Sequence, residues 1–246
     1  MNVDPNQQEQ LVAERQLTRA PRQLRRDRGV DRLEAFSDGV FSIAITLLVL
    51  DFHPPAEGSR LADGALLPQL LDQWQVYAAY LLSFAVIGVT WVDHHLLFRY
   101  VSRSDRVLLA LNGLLLLIIA FTPYPTTILS RALGNSGDQQ NLAVAAAFYS
   151  LVVLLNGIFF NLIWHYAVRH HRLVDRRISS ASLDRLSKRF IYWPFFYLDS
   201  LLVAPFSPYI SLGIYLLVPL SYAIPNKADP LRPRTNKQPE QKELAS

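Results

Sequence analysis

The stretch Arg32–Asp51, RLEAFSDGVFSIAITLLVLD, decides how the chain is read. Its twelve residues from Gly39 to Leu50 carry no charge and are closed off by Asp38 and Asp51. Twelve apolar residues alone suit a buried helix, since a helix crossing the hydrocarbon core needs about 20. At 100° per residue, Ile43, Leu47 and Leu50 fall within about 60° of one another. Phe36 and Gly39 share that stripe, and Thr46 lies about 60° from Ile43. From Ile43 to Leu50 the rise is about 10 Å. Periodicity by itself fits ordinary packing of one helix on another. The flanking carboxylates add a constraint, because ionisable groups at membrane depth are costly unless they face protein or water. Such a helix belongs in the middle of an assembly. A polar mouth followed by apolar rings and a hydroxyl layer is the pattern of a pore.

Outward from this stretch, four longer runs lack Asp, Glu, Lys and Arg: Gln73–Val92 (20 residues), Val107–Ser130 (24), Gln139–Val168 (30) and Ser200–Asn226 (27). Each is long enough to span a bilayer. A shorter run, Phe190–Leu198, is interrupted by Pro194 and followed by Asp199. Counting it and the first stretch gives six spans, near residues 33–53, 73–95, 106–130, 141–168, 188–204 and 207–224. Loop charge supports that count. Lys plus Arg is 7 in residues 1–32, 1 in 51–75, 3 in 93–106, 1 in 131–140, 7 in 169–189, 0 before the last run and 5 in 225–246. Basic and non-basic segments alternate throughout, so the positive-inside rule puts both termini in the cytoplasm. Removing either short run breaks the alternation.

The composition agrees. Of 246 residues, 51% are hydrophobic and 18% charged, with 24 basic and 20 acidic side chains and a net charge of +4. Segments 1–32 and 225–246 hold 20 of the 44 charges, so the middle is far more apolar than the average. No cysteine is present, which excludes disulfides, thiolate metal sites and cysteine nucleophiles. Residues 1–31 read as a polar cytoplasmic segment, too long and acidic for the n-region of a signal peptide. Residues 225–246 read as a disordered, Pro- and charge-rich tail. Between them lies one unit, 32–224. The chain is thus expected to be an all-α polytopic membrane protein of six transmembrane helices.

Arg32-Leu-Glu-Ala-Phe36-Ser37-Asp38 resembles the RxxxFSD signature of the transmembrane protein 175 family, potassium channels of animal lysosomes with bacterial and archaeal homologues. Trp91, His94, His95 and Phe98 resemble its W-x-x-H-H-x-x-F, and Asp105–Asn112 and Phe121–Thr126 resemble its third span. The resemblance covers roughly residues 32–130 by motif; Ser42, Gly113, Phe52 and His53 are mild departures. It implies a homotetramer with the first helix lining a central pore, since animal members fuse two six-span repeats and pair. It also implies roles: Ile43 as the hydrophobic constriction, Leu47 and Leu50 as further pore layers, and Thr46 as a hydroxyl layer tied to potassium preference. Arg32, Phe36, Ser37, Asp38, Trp91, His94 and Asn112 would form a structural motif network. The sequence has no TVGYG-like carbonyl filter, so selectivity in a dry ring is expected to be moderate.

Other residues weigh less. His94-His95 and His170-His171 lack the i, i+4 spacing of a helical two-histidine metal site. Trp74, Trp91, Trp164 and Trp193 fall near span ends, as in an interfacial belt. Asn112, Asn156 and Asn161 are expected to bond across helices, and Pro123 and Pro125 to end or kink the third. No nucleophile elbow, phosphate loop or paired carboxylates point to an enzyme. The expected function is therefore a moderately selective potassium channel in a prokaryotic plasma membrane. Potassium would be the permeant ion, with no cofactor, no structural metal and no nucleic-acid partner. The alternative is a secondary transporter or proton-coupled cation exchanger using Asp38 and His94 as a relay, although paired interrupted repeats are not evident. An intramembrane enzyme or an accessory scaffold comes after both.

Overall fold

A computed structural model describes residues 27–52, 66–135, 137–169, 173–174 and 180–223. Residues 1–26, the tail 225–246 and His170-His171 lie outside the described residues. Within them, regular structure is helical apart from one antiparallel bridge between Val101 and Val174. The helices are α1 (Arg28–Leu47), α2 (Leu66–Asp72), α3 (Trp74–Phe98), α4 (Arg106–Phe121), α5 (Pro123–Gly134), α6 (Gln139–Val168), α7 (Ser180–Val203) and α8 (Pro208–Ala223). A 3-10 turn, Leu48–Asp51, extends α1.

Helix starts follow local chemistry. Asp27 caps α1 by accepting from the Gly29 N–H at 3.1 Å, which satisfies one of the donors a helix N-terminus leaves free. Its own N–H donates to the Ser102 carbonyl at 3.0 Å, tying α1 to the segment after α3. Asp105 caps α4 from the Leu108 N–H at 2.9 Å and also accepts from the Tyr166 hydroxyl at 2.5 Å, so the cap docks on α6.

Between α4 and α5 the chain turns tighter for a stated reason. Pro123 has no N–H to give Ile119, and the Thr122 N–H bonds that carbonyl instead, at 3.1 Å. Thr122, Thr126 and Thr127 hydroxyls then donate to carbonyls four residues back, at 2.9, 2.8 and 3.2 Å. The helix breaks at Thr122, just before Pro123, and the helical path resumes and runs on to Gly134.

Among the described residues, four helical stretches are long and apolar enough to cross a membrane: Arg28–Asp51, Trp74–Phe98, Arg106–Gly134 and Gln139–Val168. Helices α7 and α8 cover the fifth and sixth expected spans, but α8 has only 16 residues and α7 holds Pro194 and several charges. Packing joins them closely to α6. Gly157 permits it, since a Cβ there would sit 3.0 Å from the Tyr197 ring. Aromatic edges do much of the filling: Phe190 meets Phe160 and Trp164 edge-on at 5.0 and 5.1 Å. Trp164 departs from the interfacial belt. It is fully buried, and its indole N–H donates to Ser187 Oγ at 2.7 Å.

Candidate functional site

Helix α1 has two unlike faces. Phe41, Ala44 and Leu48 are buried against Ile87 of α3 and Leu116 and Ile119 of α4. On the other side Phe36 is 64% exposed, Ile43 60%, Leu47 40% and Leu50 69%. Gly39, Ser42 and Thr46 share that exposed side, and a Cβ at Gly39 would meet nothing within 4 Å. The spacing that gathers Ile43, Leu47 and Leu50 on a helical wheel thus gathers them on a face that the other described residues leave uncovered.

Thr46 has a defined polarity there. Its hydroxyl donates to the Ile43 carbonyl at 2.9 Å, so its one proton is committed to the helix. The oxygen lone pairs are left as acceptors, which suits a cation and not an anion.

Behind this face sits a polar chain that crosses three helices. Ser37 Oγ donates to the Leu33 carbonyl at 2.8 Å and accepts from Asn112 Nδ2 at 2.9 Å. Asn112 Oδ1 lies 2.9 Å from His94 Nε2. Ser37, His94 and Asn112 have no exposed surface. Phe41 and Phe98 enclose the His94 ring at 5.3 and 4.5 Å between centroids. One step outward, the Trp91 indole N–H donates to Asp38 Oδ1 at 2.9 Å, and Glu34 Oε1 lies 3.0 Å from His95 Nδ1. The chain fixes the rotation of α1 against α3 and α4, and with it the direction the Ile43 face points. Buried polar groups do this well because each has a costly alternative of no partner.

Of the residues that the sequence places in the motif network, Ser37, Asp38, Trp91, His94 and Asn112 are brought together. Arg32 and Phe36 are exposed and take no part in these hydrogen bonds. The three asparagines do bond across helices: Asn156 Nδ2 donates to Thr90 Oγ1 at 3.1 Å, and Asn161 Nδ2 to the Phe190 carbonyl at 3.0 Å. Sequence reasoning missed other members. Glu34 pairs with His95, and Asp51, read only as the outer boundary of the first stretch, accepts from Ser130 Oγ at 2.5 Å. Ser83 joins Thr126 at 2.8 Å and Tyr149 at 3.1 Å, and Ser200 joins Ser211 at 2.8 Å. The available signal for these was a hydroxyl at a helical position otherwise filled by apolar residues, the usual interhelical glue in membranes.

These features define a class: an α-helical membrane protein whose first helix is clamped by a buried polar chain and turns an apolar, acceptor-bearing face away from its own fold. Comparison with known proteins narrows it. The family described as endosomal/lysosomal potassium channel TMEM175 matches residues 32–123, which run from α1 to the start of α5. A protein of Streptomyces collinus named potassium channel is 40% identical over 202 residues, covering 82% of this chain and 95% of that one. The crystal structure of a lysosomal potassium-selective channel TMEM175 homologue from Chamaesiphon minutus superposes with a TM-score of 0.69 at 34% identity. It covers 80% of this chain and 97% of that one. A chicken (Gallus gallus) relative named endosomal/lysosomal proton channel TMEM175 is 35% identical over 147 residues, 58% of this chain and 29% of that one. The chain belongs to the TMEM175 family.

Proposed function

We propose that the chain is a potassium channel, with the α1 helices of four copies lining one central path. The observation that carries this reading is the face of Ile43, Leu47 and Leu50, uncovered by the other described residues and held in place from behind by the Ser37–Asn112–His94 chain. The names of the bacterial relatives supply the ion.

The mechanism follows from the side chains. Four Ile43 side chains would form a dry ring that an ion passes only by shedding part of its water, and such a ring can close by dewetting. Potassium gives up water more cheaply than sodium does. Beyond Ile43, the Thr46 oxygens would offer acceptors in place of the lost waters, and Leu47 and Leu50 would continue the apolar wall. No binding site is deep, so discrimination is moderate. Asp38, bonded to Trp91, serves the clamp and not the ion path. In this reading six helices span a prokaryotic plasma membrane, α7 and α8 included, with both termini in the cytoplasm and residues 1–31 and 225–246 flanking the channel unit. Lipid is the only other partner, and no cofactor is needed. A proton relay through Asp38 and His94 gains no support, since each is held by its own separate partner.

Cysteine scanning tests the assembly directly, because the chain has no cysteine of its own. Leu50→Cys is expected to form disulfide-linked dimers on oxidation in the membrane. Leu117→Cys, 63% exposed on α4, is expected not to. Cross-linking at Leu117 with none at Leu50 would remove α1 from the centre.

A further inference from the structure

The outer end of α1 does not finish as an α-helix. Leu47 and Leu48 have ψ angles of −25° and −30°, inside the 3-10 range. The Phe52 N–H donates to the Val49 carbonyl, three residues back, at 3.1 Å. Helices commonly end in such a turn, but this one, Leu48–Asp51, carries Leu50, which is 69% exposed on the same face as Ile43 and Leu47.

The winding sets where these side chains point. Residues i and i+3 eclipse in a 3-10 turn, so Leu50 stands over Leu47, about 6 Å along the axis. An α-helical continuation would put it about 60° round from Leu47 and about 4.5 Å along. Asp51 moves with its neighbour. In the 3-10 turn it stands over the buried Leu48, and there its Oδ2 accepts from Ser130 Oγ of α5 at 2.5 Å. Ser130 is 3% exposed, and it shares its proton with the Thr127 carbonyl at 2.9 Å. An α-helical turn would swing Asp51 about 60° relative to Leu48 and draw it back about 1.5 Å along the axis, away from Ser130. Past the turn, Phe52 stacks on Tyr77 at 5.4 Å and meets Tyr80 edge-on at 5.1 Å, so α3 receives the chain. Hydrogen-bond geometry is poorer in a 3-10 turn than in an α-helix, and a hold from outside offsets that.

We propose that Asp51 and Ser130 are positioning residues of the ion path: their hydrogen bond keeps the last turn of α1 in its 3-10 form and so sets Leu50 in line with Leu47. This rests on the reading of α1 as the pore helix. The bond and the alignment are one event, because residues 50 and 51 share the turn. Without the bond, Leu50 leaves the line and the outer apolar layer widens.

The experiment compares the full chain as wild type, Ser130→Ala and Ser130→Thr, which keeps the hydroxyl. In crystals, Ser130→Ala is expected to pass the Phe52 N–H from the Val49 to the Leu48 carbonyl and to turn Leu50 about 60° off Leu47. Ser130→Thr is expected to keep the wild-type turn. In bilayers, single-channel conductance is expected to rise in Ser130→Ala and to return to the wild-type value in Ser130→Thr. A role in stability alone would leave the conductance of an assembled channel unmoved. Asp51→Ala cuts the same bond from the other side and takes the place of Ser130→Ala if that variant does not assemble. An unaltered 3-10 turn without the Ser130 hydroxyl would overturn the proposal. So would wild-type conductance from a channel whose turn has relaxed. Absence of current from every form would count against the pore reading, and the crystals would still decide what holds the turn.

Discussion

Asn112→Ala cuts the buried chain at its middle, and its cost can be worked out bond by bond. Asn112 makes two hydrogen bonds, to Ser37 Oγ and to His94 Nε2, both at 2.9 Å and all three residues without exposed surface. Ser37 loses little, because its hydroxyl still donates to the Leu33 carbonyl. His94 loses the partner of Nε2, and a buried polar group left without one costs about 1–3 kcal/mol. The vacated amide volume adds a smaller cavity penalty, for a total of about 2–4 kcal/mol. Interhelical hydrogen bonds in membrane proteins average about 0.6 kcal/mol by double-mutant cycle, which sets the expected coupling between Ser37→Ala and Asn112→Ala at about 0.5–1.5 kcal/mol. The assay is reversible unfolding in mixed micelles of wild type, both single variants and the double. Ser37→Ala and Asn112→Ala are expected to sum to more than the double. A loss below about 0.5 kcal/mol for Asn112→Ala, or strict additivity, would refute the claim that this chain clamps α1.

Four further outcomes are expected. Asp38→Ala should reduce recovery of assembled protein by size-exclusion chromatography, and Trp91→Phe, which removes only the indole donor to Asp38, should cost about 0.5–1.5 kcal/mol. Gly157→Val should destabilise by about 1–3 kcal/mol, measured by thermal unfolding, because its Cβ would crowd Tyr197 at 3.0 Å and force α6 and α7 apart. Thr46→Val keeps the shape and loses the outward acceptors; its potassium-over-sodium preference should fall, read from bi-ionic reversal potentials, while the unfolding curve stays within about 0.5 kcal/mol of wild type.

The sequence made the helical stretches legible because each sits in an uncharged run with a polar boundary. Asp27, Asp105 and Asp138 stand just outside the helices they cap. The two faces of α1 were legible from spacing, as positions 41 and 48 fall at least about 100° from 43, 47 and 50 on the wheel. What spacing cannot give is partner identity across helices. Asn112 reads as an interhelical donor from its type, but its choice of Ser37 and His94 depends on the rotation of three helices. Glu34 with His95, and Asp51 with Ser130, are pairings of the same kind, set by tertiary approach. Arg32 stands beside Leu33 in the motif yet points outward, since adjacent helical residues are about 100° apart. Trp164 reads as interfacial by its place near a helix end. The docking of α7 buries it, and that docking turns on Gly157, whose importance a lone glycine in a long apolar run does not announce.

The central claim is that Ile43 narrows a potassium path. The direct test is the reversal potential of purified protein in liposomes under opposed potassium and sodium gradients, wild type against Ile43→Ala. The account predicts a wild-type value displaced toward the potassium equilibrium potential and a shift toward zero in Ile43→Ala, with larger flux through the widened ring. An unchanged reversal potential and flux in Ile43→Ala, from assembled protein that conducts, would contradict it.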